Sequence, residues 1–339
     1  MTTLSTPEVA GSGIKAANER FMSRHASLMP TFAALAVLVL LLVAAQIYFG
    51  NFISPGNMSA LLLDNAYLMV IAVGMTFVIL TAGIDLSVGS VMAFTGILLA
   101  HLLADGMPAA VAVPVILLAG ALIGLLIGIL IQYFEVQPFI ASLAGLFLAR
   151  GLAFVVSLSS IAVDDTSVQW LQSTRLKAGD WYITPTGIIA LSAVAIGAFV
   201  LQYTRFGRTV YAIGGNELSA QLMGLRVART KVLVYVISGT LAGVAGLILT
   251  AYSGAGYPRN GIGTELDAIA AVVIGGTLLS GGRGYVIGSM IGVFVYGTIK
   301  TSISFLGAEQ SWMQIIVGGL LLVFILIQRF IVTRTARRE

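Results

Sequence analysis

The chain has 339 residues, of which 58% are hydrophobic and only 9% are charged. Soluble domains carry roughly 25% charged residues, so this chain has too few charges to cover a water-soluble surface of its size. It has no cysteine, which excludes disulfides and thiol chemistry. Its net charge of +4 is spread over short segments and forms no basic stripe of the kind that binds nucleic acid.

Ten apolar segments are candidates for membrane spans, because a spanning helix needs about 20 apolar residues. The segment at 267–280 is short and is expected to be a broken or partly inserted helix. We therefore predict an all-α polytopic membrane protein of about ten transmembrane helices, with its transmembrane domain over 30–330. The ten segments lie near 30–49, 58–80, 86–104, 110–131, 138–158, 185–203, 231–250, 267–280, 285–304 and 312–329.

Basic residues predict how these spans are oriented, because cytoplasmic loops are enriched in lysine and arginine. With both termini inside, there is a cytoplasmic N-terminal tail over 1–29 and a basic tail over 331–339. A cytoplasmic coupling loop covers 204–230, and an outer loop covers 159–184. The cytoplasmic segments then hold 13 of the 18 basic residues, namely Lys15, Arg20, Arg24, Arg205, Arg208, Arg226, Arg229, Lys231, Arg283, Arg329, Arg334, Arg337 and Arg338.

The segment TAGIDLSVGS, residues 81–90, places a carboxylate inside a very apolar stretch. Asp85 is predicted to be the N-cap of the next helix, with Leu86, Ser87 and Val88 as its first turn. Such a cap would satisfy amides at a tight hairpin that lipid cannot solvate. In a second hypothesis, the same broken helix lines a translocation path and uses the charge of Asp85.

Glycines recur at four-residue spacing on several predicted helices, a pattern that lets helix backbones approach closely in lipid. These glycines are Gly120, Gly124 and Gly128, then Gly239 and Gly243, then Gly284, Gly288 and Gly292. A second pattern is an internal echo, in which AGIDLSVGS matches GGRGYVIGS at two glycines and a serine. Three matched positions indicate either an internal repeat or chance.

Three further ionisable residues fall in or at predicted spans, where a charge costs about 2.5–3.5 kcal/mol. Arg150 lies near the middle of its span, and Glu265 and Asp267 open the short eighth span. We expect Arg150 to pair with Asp85, Glu265 or Asp267 and to hold the bundle together. The alternative is that these groups line the transport path.

The cytoplasmic loop contains the segment YAIGGNELSAQLMGLRV, residues 211–227, which predicts a short amphipathic helix of about two turns. Asn216 is a good N-cap, and Glu217 suits the positive end of the helix dipole. Leu218, Leu222 and Leu225 would form one apolar face, and Gly224 would end the helix. Such a helix either transmits a push from a cytoplasmic partner or lies on the lipid surface.

Catalytic and metal-binding motifs are missing from the sequence. No lysine follows a glycine, so the chain has no GK[ST] phosphate-binding loop and any ATP hydrolysis must occur on a partner. With two isolated histidines and no cysteine, neither a metal site nor a catalytic set is predicted. The chain is therefore expected not to be an enzyme.

Three long motifs carry a resemblance to a known family. They are TAGIDLSVGS, GGNELSAQLMGLRVARTKVLVYVISGTLAGVAGLI and GTELDAIAAVVIGGTLLSGGRGYVIGS. In this order they resemble the permeases of bacterial carbohydrate ABC importers of the ribose type, over about residues 55 to 330. The segment LDNAYLMVIAVGMTFVILTAGIDLSVGSVMAFTG most resembles the permeases of galactofuranose importers.

The resemblance implies a bacterial inner-membrane permease that moves a pentose or a hexose into the cytoplasm, with galactofuranose as one candidate. It implies a second permease copy or a paralogous permease, cytoplasmic ABC ATPase subunits that bind ATP and Mg²⁺, and a periplasmic sugar-binding protein. An ion-coupled secondary sugar carrier is the alternative, although it would need titratable carboxylates near the middle of its spans.

The resemblance also assigns roles to residues. It implies that the residues coupling the permease to the ATPase are Gly215, Asn216, Glu217, Ala220 and Gly224. This chain has larger residues at 218 and 219 than the family pattern, so the first turn of the coupling helix departs from it. Because a neutral sugar needs hydrogen-bonding partners, polar residues in the spans are further path candidates, and they include Asn65 beside the ionisable groups already named.

Overall fold

The computed structural model describes residues 29–307 and 309–336, so most of the predicted N-terminal tail and residues 337–339 lie outside it. The described chain is almost entirely helical, as predicted. Its helices are α1 (Met29–Phe49), α2 (Pro55–Asp64), α3 (Ala66–Leu80), α4 (Val88–Ala104), α5 (Ala109–Tyr133), α6 (Pro138–Val156), α7 (Thr166–Ser173), α8 (Pro185–Tyr203), α9 (Arg205–Gly215), α10 (Glu217–Leu222), α11 (Val227–Ser253), α12 (Thr264–Ile274), α13 (Val286–Phe305) and α14 (Gln310–Ala336).

Two small antiparallel sheets are formed by residues of the predicted outer loop and the segment that follows α11. Strand β1 (Ile161–Ala162) pairs with β4 (Ala255–Gly256), and β2 (Leu176–Ala178) pairs with β3 (Trp181–Ile183). The first sheet joins the outer loop to the end of α11, so it fixes the segment that leads into α12.

Nine of the ten predicted spans correspond to apolar helices. In the described part of the chain, α1, α5, α6, α8, α11 and α13 are long and apolar enough to cross a membrane. Helices α2 and α3 form a seventh candidate, bent by 53° at Asn65. Helix α4 and the part of α14 at Ser311–Leu326 are apolar but shorter. The protein is therefore a multi-pass membrane protein.

The predicted span at 267–280 is a half-length helix. Helix α12 has 11 residues and is about 16 Å long, roughly half of the hydrocarbon core. It ends at two consecutive glycines, and Gly276 has a φ of 98° that a side chain would oppose. The chain then runs as a loop to α13, so the expected broken helix is confirmed.

The glycine stripes pack helices together, as predicted. A Cβ atom at Gly120 would meet the backbone of Gly239, and one at Gly124 would meet the carbonyl oxygen of Tyr235. Gly292 likewise faces the backbone of Ala271. The prediction for Gly284 was wrong, because this residue precedes α13 and lies in the loop. The backbones of α5 and α11 therefore pack closely against each other.

Adding one methyl group at this contact should destabilise the protein. We expect Gly124→Ala to lower the free energy of unfolding by about 1–3 kcal/mol, because its Cβ would overlap backbone atoms that cannot move separately from α11. Thermal unfolding of the purified protein in detergent would measure the loss. Gly151→Ala is the matched control, since no atom lies within 4 Å of its Cβ. An equal loss in both variants would contradict the packing role.

The two echo segments occupy equivalent places, each between an apolar helix and the helix that follows it. Residues 81–87 connect α3 to α4, and residues 275–285 connect α12 to α13. The two breaks also touch, because the Gly282 amide donates to the Leu80 carbonyl over 2.9 Å. Beside them, the hydroxyls of Thr76 and Ser289 are 2.7 Å apart. The repeat interpretation of the echo gains support from this arrangement.

Candidate coupling and translocation sites

The 204–230 loop contains a second helix before the predicted coupling helix. Helix α9 begins after Thr204, whose hydroxyl accepts a hydrogen bond from the Gly207 amide over 3.1 Å. Its apolar residues Phe206, Val210 and Ile213 follow at helical spacing, and the last two are buried. This threonine cap and spacing were visible in the sequence and could have predicted the helix.

Helix α10 forms where the coupling helix was predicted, with the predicted ends. The Asn216 side-chain oxygen accepts a hydrogen bond from the Ser219 amide over 2.8 Å, as an N-cap does. Gly224 has a φ of 75° and follows the last turn, which only glycine adopts without strain. Ala220 is fully buried against the bundle, while Gly215 at the end of α9 is exposed. The cap and the glycine therefore define where the helix begins and ends.

The apolar face of α10 differs from the predicted one. Leu218 and Leu222 are 66% and 82% exposed. Leu225 packs inward instead, beside the buried Ile213 and Val227. The chain turns at Gly224, so the third leucine cannot continue the face. Leu218 and Leu222 therefore project from the surface of the described chain.

An ion pair joins α10 to the long helix α11. The Lys231 ammonium lies 3.0 and 3.1 Å from the two carboxylate oxygens of Glu217. Both side chains are partly exposed, so the pair contributes at most about 1 kcal/mol to the free energy of unfolding. It nevertheless holds α10 in one orientation relative to α11. The pair therefore links α10 to the helix that packs along α5 at its glycines.

Asp85 is fully buried but does not cap α4, so that prediction was wrong. Helix α4 begins at Val88 with Ser87 as its N-cap residue, two positions after Asp85. One carboxylate oxygen accepts from the amide and the hydroxyl of Ser87 at 2.9 and 2.6 Å. The other accepts from the Ser238 hydroxyl of α11 at 2.7 Å. The carboxylate therefore ties the broken segment to α11.

Within the described chain, Arg150 forms no direct salt bridge with a carboxylate, contrary to the sequence-based expectation, although Glu265, one of the predicted partners, lies close enough to attract it electrostatically. Its guanidinium donates to the carbonyl oxygens of Pro258 and Asn260 over 2.6 and 2.8 Å. Among the described residues it forms no salt bridge with Asp85, Glu265 or Asp267. Arg150 therefore fastens the irregular segment before α12 to helix α6.

Replacing this guanidinium should loosen that segment. We expect Arg150→Met to lower the free energy of unfolding by about 1.5–3 kcal/mol, because two carbonyls in a partly buried site lose their charged donor. Hydrogen exchange of the 257–263 amides would rise in the same variant. Arg259→Met is the control, since that arginine is exposed and lies on the same segment. Unchanged exchange in Arg150→Met would contradict the fastening role.

The other predicted polar residues have separate partners. A Glu265 oxygen accepts weakly from the Gly263 amide at 3.3 Å, and Asp267 accepts from the Tyr296 hydroxyl at 2.8 Å. The Asn65 amide donates to the Leu61 carbonyl over 2.8 Å, at the bend between α2 and α3. Four of the five path candidates thus lie at or beside breaks in the helices, while Arg150 lies within α6. Tyr296, the partner of Asp267, was not predicted because it lies 29 positions away on another helix.

A protein family matches most of this chain. The family described as "Branched-chain amino acid transport system / permease component" matches residues 57–326. The chain belongs to this permease family. The matched region includes both broken segments, the coupling helix and the α5–α11 contact.

Several curated permeases are similar along nearly their whole length. The fructose import permease protein FruG of Bifidobacterium longum is 43% identical over 89% of this chain and 91% of its own. The inner membrane ABC transporter permease protein YjfF of Escherichia coli is 45% identical over 89% and 92%. The ribose import permease protein RbsC of Escherichia coli is 36% identical over 88% and 94%. No solved structure matches the chain.

Proposed function

We propose that this chain is the membrane subunit of a binding-protein-dependent ABC importer that moves a monosaccharide into the cytoplasm. The observation that carries the proposal is α10, a capped helix that presents Leu218 and Leu222 to the cytoplasm and is tied to α11. A separate coupling helix would be unexplained in an ion-coupled secondary sugar carrier. Membership of the permease family also favours the importer, and relatives named for fructose and ribose import favour a sugar as the cargo.

The proposed partners follow from what the chain lacks and what it exposes. A cytoplasmic ABC ATPase would seat on the leucines of α10 and bind ATP and Mg²⁺, for which this chain has no GK[ST] motif. Gly215 and Gly224 would let α10 turn away from its neighbouring helices at both ends. A periplasmic sugar-binding protein would deliver the cargo. A second permease, identical or paralogous, would complete the path.

The proposed orientation places both termini and the 204–230 loop in the cytoplasm. The basic residues of this loop support it, and so does the loop before α13, whose Gly284 carbonyl accepts from the Tyr211 hydroxyl over 2.7 Å. The 159–184 segment then lies on the periplasmic side, where it would meet the binding protein. We propose the bacterial inner membrane as the location.

Uptake in cells tests the proposed function. A strain lacking the gene for this chain, and lacking other importers for the test sugars, would be supplied with labelled fructose, ribose or galactofuranose. We expect uptake of one of these sugars to return with the wild-type gene and to need the neighbouring ATPase and binding-protein genes. Uptake that persists without the ATPase and stops with a protonophore would indicate a secondary carrier instead.

A further inference from the structure

A cavity of about 420 Å³ opens on the cytoplasmic side between the end of α5 and the start of α11. Arg226 and Arg229 line it. Both are exposed, and neither forms a salt bridge or a side-chain hydrogen bond among the described residues. The nearby Lys231 binds Glu217 instead. We call this cavity the α11 pocket.

The start of α11 adds free backbone donors to the same pocket. The Val227 amide donates to the Leu225 carbonyl over 2.9 Å. The amides of Ala228 and Arg229 have no acceptor among the described residues. Both residues line the pocket, and α11 is 27 residues long. Free amides at the positive end of a long helix bind phosphate and other anions. Two guanidinium groups beside them strengthen that preference.

The side chain of Gln132 has an acceptor oxygen that lacks a hydrogen-bond donor in the described part of the chain. Gln132 lines both this pocket and the neighbouring cavity, and its side-chain oxygen is buried without a hydrogen-bond partner among the described residues. An unpartnered buried acceptor costs about 1–3 kcal/mol. The fitting occupant therefore carries both an anionic oxygen and an N–H or O–H donor. The nearest acids, Glu135 and Glu217, line a neighbouring cavity of about 370 Å³ and not this one.

The level of the pocket relative to the membrane indicates that a lipid headgroup can reach it. Tyr133 ends the spanning helix α5 and lines the pocket, and the next residue is Phe134. Their side chains are 66% and 69% exposed. Exposed aromatic rings at the end of a span mark the level of the lipid headgroups. Basic pockets between helices on the cytoplasmic side bind anionic headgroups.

We propose that the α11 pocket binds the headgroup of phosphatidylglycerol. The phosphate lies against Arg226, Arg229 and the two free amides, and a glycerol hydroxyl donates to Gln132. Because Gln221 of α10 lines the same pocket, the bound headgroup braces the coupling helix against α5 and α11. The inference depends on the membrane orientation of the chain and is independent of which sugar it carries.

Native mass spectrometry of the full-length protein in detergent tests this proposal, with phosphatidylglycerol, phosphatidylcholine and inorganic phosphate as probes. We expect wild-type protein to retain phosphatidylglycerol over phosphatidylcholine, whose headgroup has the phosphate but no donor. Arg226→Gln with Arg229→Gln should reduce phosphatidylglycerol binding by about tenfold or more. Gln132→Leu should weaken phosphatidylglycerol binding but keep its dependence on the two arginines.

Arg205→Gln with Arg208→Gln is the matched control, because it removes the same charge from the same loop outside the pocket. It should leave lipid binding within about twofold of the wild type. Equal losses from the two arginine pairs would overturn the proposal in favour of general surface charge. Equal retention of the two lipids by wild-type protein, or displacement of the lipid by millimolar inorganic phosphate, would also overturn it. Sugar uptake is not needed for any of these measurements.

Discussion

Leu222→Asp should abolish most sugar uptake while leaving the permease folded and inserted. Leu222 is 82% exposed, so the isolated chain has little reason to unfold when it becomes charged. Docking on an ATPase would bury the new carboxylate without a partner, and that burial is costly. A residue at the centre of an interface that acts as a hot spot contributes about tenfold or more to binding. Co-purification with the ATPase and uptake in cells should therefore fall together.

Two comparisons make this result specific. Leu218→Asp, at 66% exposure on the same helix, should have the same effect as Leu222→Asp. Leu176→Asp should leave co-purification with the ATPase unchanged, because that leucine is 52% exposed but lies in the 159–184 segment, far along the chain from α10. Normal ATPase binding by Leu222→Asp would show that α10 is not the docking helix.

Asp85→Ala should cause the largest loss of stability among substitutions of the path candidates. Asp85 is fully buried and accepts three hydrogen bonds from Ser87 and Ser238. Removing it leaves these donors without an acceptor in a dry site, at a cost of about 2–4 kcal/mol in the free energy of unfolding. Thermal unfolding in detergent would measure that loss, and Ser238→Ala should show about a third of it.

Asp85→Asn separates the geometry of this residue from its charge. The amide oxygen can still accept from Ser87, and the amide nitrogen can donate to the Ser238 hydroxyl. No cation binds Asp85 among the described residues, so we expect Asp85→Asn to fold and to retain most of its uptake. A folded Asp85→Asn protein with no uptake would show that the charge itself serves transport.

Local features of the fold could be predicted from the sequence, because each depends on residues close together in the chain. The cap at Asn216, the left-handed Gly224 and the glycine stripe at 120–128 are of this kind. Periodicity also located nine apolar spans and indicated that the tenth is broken.

The partners of the buried charges could not be predicted in the same way. Asp85 binds a residue 153 positions away, and Arg150 binds carbonyls 108 and 110 positions away. The predicted partners of Arg150 were side-chain carboxylates, whereas its partners in the structure are backbone carbonyl oxygens. The segment before α12 is irregular, so its carbonyl oxygens are free to accept, and this freedom is invisible in sequence patterns.

Transport by purified components is the most direct test of the central claim. The permease would be reconstituted in proteoliposomes with its ATPase, its binding protein and a labelled sugar. The account predicts uptake that requires ATP together with both partners, and that disappears when Leu222→Asp replaces the wild-type permease. Uptake driven by an ion gradient with the permease alone would contradict it.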